Sequence, residues 1–290
     1  MLADAVRAEG YRLGRNRTAL FWSLIFVPVM SVVLGAIGAV MVKGSEAKLS
    51  EATGIPPQLQ AMFAATPINL ADSLVSAAAS AANPAVLLFL LIGAATLYAG
   101  DYRWETWRLI SARNSRPNLL LGKLTVVAGL ALGVLVLMLI AGLIESVIRA
   151  GVFDRSVTFR ADAGQIGDMA ALFGLSWLRV VQFAMIGLLA AVMTRSLLAA
   201  LFIPLAVGVG QALSPQMLMP AGVMPTDWLA ILVNPGAATD AIGGALRALP
   251  LAPAPEPGLM LKSWISLLLW TALPLAAALA WFQRQDLSKE

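Results

Sequence analysis

The chain has 290 residues, of which 59% are hydrophobic and only 12% are charged, and its mean hydropathy is +0.82. Because a soluble domain is about 25% charged, this composition excludes a soluble protein and indicates an integral membrane protein. The chain contains no cysteine and no histidine, which excludes disulfides, thiolate chemistry, haem ligation and the usual zinc sites. The sequence pI of 9.8 does not indicate nucleic-acid binding, because the basic residues lie beside apolar runs rather than in one patch.

The N-terminal residues 1–18 are too polar to span a membrane and predict an imperfect amphipathic helix on its inner surface. The apolar stripe of this helix consists of Leu2, Val6 and Leu13. Glu9 interrupts the stripe. The apolar run that follows, 19–42, is longer than the core of a signal peptide and has no clear cleavage site after it. It therefore predicts an uncleaved first span.

Five further apolar runs predict the remaining spans, at residues 83–100, 119–144, 173–193, 197–213 and 262–282. The connecting segments are outer loops at 43–82 and 145–172, a cytoplasmic segment at 101–118, an outer re-entrant region at 214–258 and a cytoplasmic tail at 283–290. Prolines divide the apolar re-entrant region into two predicted short helices, 228–233 and 237–249. Such backbone survives at membrane depth only where protein or water covers it.

An even number of spans places both termini on the same side of the membrane. Twelve of the 20 Lys and Arg residues fall on the side that holds the termini. Since basic residues accumulate in cytoplasmic segments, we expect both termini to be cytoplasmic.

The segment 101–118 separates two spans and combines basic residues with two tryptophans. Its pattern predicts a short helix along the membrane surface whose polar face suits docking to a soluble partner. Trp104, Glu105 and Arg108 are candidate docking residues, because Arg108 could pair with Glu105 and stack on Trp104. The alternative is that Trp104 and Trp107 are interfacial anchors and the arginines set the topology.

The order of these elements resembles the permeases of the ABC-2-type transporter family. The residues that carry the resemblance are Trp104-Glu105-Thr106-Trp107-Arg108, Ser115-Arg116, Gly122-Lys123 and the end of the last span, Phe282-Gln283-Arg284-Gln285-Asp286. One departure is that the family's proline precedes its serine and arginine, whereas here Asn114 precedes them and Pro117 follows.

This resemblance implies an exporter of the bacterial plasma (inner) membrane, in which two permease chains pair as a homodimer. Two separate ATP-binding subunits would dock beneath them, bind ATP and Mg²⁺, and drive the cargo outward. The segment 101–118 would be the coupling helix. The residues assigned to ATPase coupling are Trp104, Glu105, Trp107, Arg108, Arg113 and Arg116.

The chain itself has no nucleotide-binding motif. A P-loop requires GxxxxGK followed by Ser or Thr, whereas Gly122-Lys123 is followed by Leu124 and has Pro117 in place of the first glycine. We therefore expect no enzymatic activity, no metal site and no cofactor in this chain, and ATP in the partner subunit. An intramembrane protease is disfavoured, because histidine is absent and no predicted span has an aspartate in its middle.

Arg179 is the one charge well inside a predicted span, and it predicts a position on the substrate path or a gate. We expect Glu145 or Asp168 to be its partner and Gln182, one turn away, to line the same polar path. Snorkelling to the nearby membrane surface is the alternative role of Arg179.

The spans offer few polar groups, which favours an amphipathic or hydrophobic cargo such as a lipid, drug or peptide. An ATP-independent carrier or channel remains the alternative function, and a role in assembly or regulation is also open.

Overall fold

The computed structural model describes residues 1–45, 66–104, 106–107, 114–247 and 256–285. Its elements in chain order are α1 (Leu2–Arg15), α2 (Arg17–Leu20), a π-helical turn (Phe21–Ile25), α3 (Phe26–Gly44), β1 (Ile68–Asn69), α4 (Leu70–Ser80), α5 (Pro84–Arg103), α6 (Arg116–Val152), β2 (Val157–Thr158), α7 (Ala163–Thr194), α8 (Leu197–Leu218), a 3-10 turn (Met219–Ala221), α9 (Trp228–Val233), α10 (Pro235–Leu246) and α11 (Leu259–Arg284).

Within the described residues, six helical stretches are long and apolar enough to cross a membrane. They are Arg17–Gly44, Pro84–Arg103, Arg116–Val152, Ala163–Thr194, Leu197–Ala221 and Leu259–Arg284. The predicted fold class, an all-α membrane protein with six spans, is confirmed. Helix α7 is central, because 78% of its most apolar window is buried against 17% for the first span. It packs against α4, α5, α6, α8 and α11.

Several helices extend beyond the predicted spans. Helix α6 has 37 residues, which corresponds to about 55 Å at 1.5 Å per residue and exceeds the roughly 30 Å of a hydrocarbon layer. It begins before the predicted span 119–144 and continues past it. Helix α7 starts at Ala163, where the Asp162 carboxylate accepts a hydrogen bond from the Gln165 amide. The predicted outer loop 145–172 is therefore largely helical, since charged residues are accommodated where a helix leaves the apolar layer.

The two ends of the bundle have different contents. We call the end that holds α1, Trp104 and the C-terminus of α11 the proximal end, and the opposite end the distal end. At the proximal end the Asn114 side chain donates to the Met1 carbonyl, at 2.8 Å. The distal end contains β1, β2 and the short helices α9 and α10.

Helix α1 packs along α6 at the proximal end. Gly122 allows this close approach, because a Cβ there would lie 2.8 Å from the Ala5 Cβ. The buried residues of α1 are Ala5, Glu9 and Leu13. The predicted apolar stripe is thus wrong in part: Leu2 is exposed, Val6 is half-buried, and Glu9 belongs to the packed face.

At the distal end, the connection before α4 is hydrogen-bonded to the connection between α6 and α7. Strands β1 and β2 pair in parallel, with Ile68 opposite Val157. The Asn69 side chain donates to the Arg160 carbonyl and accepts from the Arg160 amide, both at 3.0 Å. Helix α4 shows that part of the predicted loop 43–82 is helical, as expected.

The predicted pair of short helices before the sixth span is present as α9 and α10. A helix leaves its last carbonyls without intrahelical partners, and at membrane depth side chains must satisfy them. Two side chains of α11 do this for α9: Ser266 Oγ donates to the Ile231 carbonyl and Trp270 Nε1 to the Leu232 carbonyl, both at 2.7 Å.

Candidate functional site

The exposed tryptophan of the predicted coupling segment lies at the proximal end. Trp104 follows the last residue of α5 and is 68% exposed. The Arg103 guanidinium lies 5.3 Å from the centre of its ring, at a distance typical of a cation–π contact. Glu105, Arg108 and Arg113, which were also predicted for this surface, lie outside the described residues.

Trp107, in contrast, is fully buried. Its ring centre lies 5.3 Å from that of Tyr102 and 4.7 Å from that of Phe282. The Lys123 ammonium lies 5.4 Å from the ring centre. Trp107 is therefore a packing residue that joins the predicted coupling segment to α5, α6 and α11. Its assignment to ATPase coupling stays a prediction, and such a role would act through these contacts because the side chain has no exposed surface. The two tryptophans look alike in sequence because their difference arises from tertiary contacts.

Arg116 binds the end of α11. Its Nη1 donates to the carbonyls of Phe282, Gln283 and Gln285, at 3.1, 2.9 and 2.7 Å. A cation at a helix C-terminus satisfies free carbonyls and interacts favourably with the helix dipole. The half-buried Arg116 thus links the start of α6 to the end of α11, and these bonds occupy the group that was predicted for coupling.

A cluster of four charged side chains lies behind this surface. Lys123 has no exposed surface, and its Nζ lies 2.8 Å from Glu9 Oε1 and 2.5 Å from Asp101 Oδ2. Arg12 Nη1 donates to Asp101 Oδ1, at 2.8 Å, and to Glu9 Oε1, at 3.2 Å. Two positive and two negative charges therefore balance, as buried charges require.

The cluster connects the predicted coupling segment to α1. Thr106 Oγ1 donates to Asp101 Oδ1, at 2.5 Å, while Lys123 Nζ also donates to the Leu97 carbonyl, at 2.7 Å. Partial burial tends to lower the pKa of Arg12, but the charges of Asp101 and Glu9 outweigh it and raise that pKa. The sequence offered one signal of the cluster, the charge of Glu9 within an otherwise apolar stripe.

A cavity of about 550 Å³ lies in the distal half, between α4, α5, α7, α8 and α10. One wall is apolar and includes Leu87, Leu88, Leu91, Leu205 and Val209. The polar lining residues are Ser176, Arg179, Gln211, Asn234, Thr239 and Asp240. The cavity thus has an apolar wall and, beside it, a group of side chains that can form hydrogen bonds.

Arg179 lines this cavity, and its surroundings differ from those predicted. Its Nη2 donates to Gln211 Oε1, at 2.5 Å, and its guanidinium lies 4.7 Å from the centre of the Phe183 ring. Asp240 is the carboxylate that interacts electrostatically with it. The predicted partners Glu145 and Asp168 are therefore wrong, because α8 and α10, distant in sequence, supply the groups that face Arg179.

The backbone at Gln211 is fixed by side chains, because a proline lies one turn further along α8. Pro215 has no N–H, so the Gln211 carbonyl lacks its helical donor. Asn234 Nδ2 donates to this carbonyl instead, at 2.9 Å, as does Ser214 Oγ, at 2.8 Å. The Gln211 side chain is oriented by Arg179, and its Nε2 is buried with no partner among the described residues.

Gln182 does not line this cavity. Its Nε2 donates to the Leu267 carbonyl, at 3.0 Å, and to Thr271 Oγ1, at 3.1 Å. It therefore bonds to α11, and the expectation that it shares a polar path with Arg179 is corrected. Residues three apart lie only about 60° from each other around a helix, so the difference arises from tertiary contacts: Gln182 meets α11, whereas Arg179 meets α8.

No family model matches this chain, and a search of curated proteins found no match either.

Proposed function

We propose that the chain is the permease subunit of an ATP-driven exporter of the ABC-2 type, which moves an amphipathic or hydrophobic substrate out of the cytoplasm. In this proposal two copies pair in a bacterial plasma membrane, with the proximal end in the cytoplasm. Two separate subunits bind and hydrolyse ATP. The resemblance of the residues between Trp104 and Lys123 to that family motivates the choice.

The observation that best supports the proposal is the set of contacts that link several helices at the proximal end. An exposed indole, Trp104, is adjacent to a segment whose Thr106 and Trp107 contact the charged cluster and the end of α11. Through Asp101 and Lys123 this segment is bonded to α1 and α6. A soluble subunit pressing on Trp104 would therefore act on several helices at once.

The proposal is tested by purifying the tagged chain from its native host and identifying companion proteins by mass spectrometry. We expect a stoichiometric companion that carries a P-loop. Repeated recovery of an intact complex without any ATPase would contradict the proposal and favour an ATP-independent carrier.

The variant Trp104→Ala tests the docking surface directly. Since a tryptophan at the centre of an interface contributes about 2 kcal/mol or more, we expect roughly 30-fold weaker binding of the ATPase. Trp264→Ala is the matched control, because Trp264 is also exposed, at 46%, but lies in the first two turns of α11, at the distal end. Equal loss in both variants, or loss in neither, would contradict a docking role for Trp104.

A further inference from the structure

The polar side of the distal cavity has more hydrogen-bond donors than the described residues satisfy. An arginine has five N–H donors, and among the described residues Gln211 is the one acceptor bonded to Arg179. Gln211 is only 4% exposed, and its Nε2 has no partner within the described part of the chain. A buried donor without a partner costs about 1–3 kcal/mol, so it indicates a group that arrives from outside the protein.

These donors are positioned by backbone features rather than by chance contacts. The Gln211 carbonyl is fixed by Asn234 and Ser214 because of Pro215. Gly236 lies against the guanidinium: a Cβ there would be 3.2 Å from Arg179 Nη2. Larger residues at this position would push Arg179 away from α10. The two donors, on α7 and α8, are thus preorganised, and α10 supplies the glycine that lies against Arg179.

The rest of the cavity sets the shape of the ligand. Its volume of about 550 Å³ falls within the range of sites that hold drug-sized molecules. The leucines of α5, with Leu205 and Val209 of α8, form an apolar wall beside the donors. A molecule that satisfies both parts has a compact acceptor-rich head and an apolar tail.

We propose that this cavity binds a small amphiphile with an anionic head group, a carboxylate or a phosphate, held by Arg179 and the Gln211 amide, with its tail along α5 and α8. The proposal rests on the export function proposed above, because it names the chemical class of the cargo. Asp240 limits the affinity, since its carboxylate neutralises part of the positive charge and repels an anion.

Binding is measured with the purified full chain in nanodiscs of neutral phosphatidylcholine, without ATP or any ATPase. The probes are radiolabelled dodecanoate and radiolabelled dodecyl phosphate, and dodecyltrimethylammonium is the cationic competitor. We expect saturable binding of at least one anionic probe and weak competition by the cation. The arm that binds more tightly identifies the head group.

Two variants remove the binding groups in different ways. Arg179→Gln removes the charge, and we expect about tenfold weaker binding. Gln211→Glu keeps an oxygen acceptor for Arg179 but replaces the free N–H donor by a negative oxygen, so it should weaken binding by at least as much while preserving the fold. Arg149→Gln is the control, because Arg149 lies on α6 and does not line the cavity.

We expect Asp240→Asn to change the binding affinity in the opposite direction from the other two variants. Removing a like charge beside the head group should tighten binding of the anionic probe by about threefold or more, which structural damage would not do. The proposal is overturned by absence of saturable anion binding, by equal losses in Arg179→Gln and Arg149→Gln, or by weaker binding in Asp240→Asn. If Arg179→Gln does not fold, Gln211→Glu and Asp240→Asn decide the question.

The test of the cavity and the test of the proposed function can give different results. Anion binding without an ATPase companion would support the cavity and contradict ATP-driven export. An ATPase companion without anion binding would support export and overturn the assignment of the cavity.

Discussion

A lysine with no exposed surface requires a negative charge beside it, and Lys123 has two. Glu9 and Asp101 are almost as deeply buried as Lys123 itself, whereas Arg12, the second cation, remains 40% exposed. The neutrality of the cluster therefore depends on Lys123 in particular. Burial of an ion pair adds little net stability, but removing one partner leaves a charge uncompensated.

We expect Lys123→Met to lower the free energy of unfolding by about 3–5 kcal/mol, because Glu9 and Asp101 keep only Arg12 as a counter-ion. Unfolding in mixed micelles, followed by circular dichroism, measures this loss. Lys262→Met is the control: Lys262 Nζ donates to the Thr226 carbonyl, at 2.9 Å, and loss of that bond should cost about 1 kcal/mol.

A triple variant separates charge from packing. With Glu9→Gln and Asp101→Asn added to Lys123→Met, no buried charge remains in the cluster, and we expect much of the lost stability to return. Equal destabilisation by Lys123→Met and Lys262→Met, or no recovery in the triple variant, would show that charge balance is not what the cluster contributes.

The contact between α1 and α6 depends on the absence of a side chain at one position, Gly122. A Cβ at Gly122 would overlap Ala5 of α1, whereas a Cβ at Gly129, two turns further along α6, would meet no atom within 4 Å. We expect Gly122→Val to displace α1 and expose its buried face. Gly129→Val should leave α1 in place, since the same helix receives the same side chain in open space.

The absence of cysteine makes this displacement measurable. In a Leu13→Cys background, a maleimide should label Cys slowly, because Leu13 is buried, and Gly122→Val should raise the labelling rate about tenfold or more. The same increase with Gly129→Val would mean that valine weakens α6 in general rather than its contact with α1.

The prediction of elements from sequence succeeded where the physics is local. Hydropathy over about 20 residues identifies a span, and the prolines around Trp228 and Pro235 predicted short helices that the structure contains. The ends of α6 and α7 were not predictable from the apolar pattern, because a helix continues into water wherever its caps allow. Pro117 fits the first turn of α6, because a residue there has no helical partner for an N–H group.

The candidate sites were predictable only in part. Arg179 was identified because a charge inside an apolar run is conspicuous, but its neighbours Gln211 and Asp240 belong to other elements and no local pattern links them. Trp107 was assigned to ATPase coupling by the resemblance, and the alternative was an anchor at the membrane surface, where aromatic residues beside spans usually lie. Its contacts with Tyr102 and Phe282 form only when α5 and α11 pack together.

The orientation of the bundle in the membrane can be measured directly. Ser115 and Ser156 are exposed serines at the proximal and distal ends. We expect Ser156→Cys to react with a membrane-impermeant maleimide in intact cells and Ser115→Cys to react only after the membrane is opened. The reverse pattern would place the proximal end outside the cytoplasm and contradict the proposed docking of an ATPase there.

Helix α11 supplies bonding groups at both ends of the bundle: Ser266 and Trp270 serve α9, and the terminal carbonyls near Phe282 receive Arg116. Ribosomes synthesise α11 after all the other described elements. Until it emerges, the carbonyls of Ile231 and Leu232 and the ring of Trp107 lack these partners. These contacts can therefore form only after α11 has been synthesised, so the final packing at both ends of the bundle is the last step of folding.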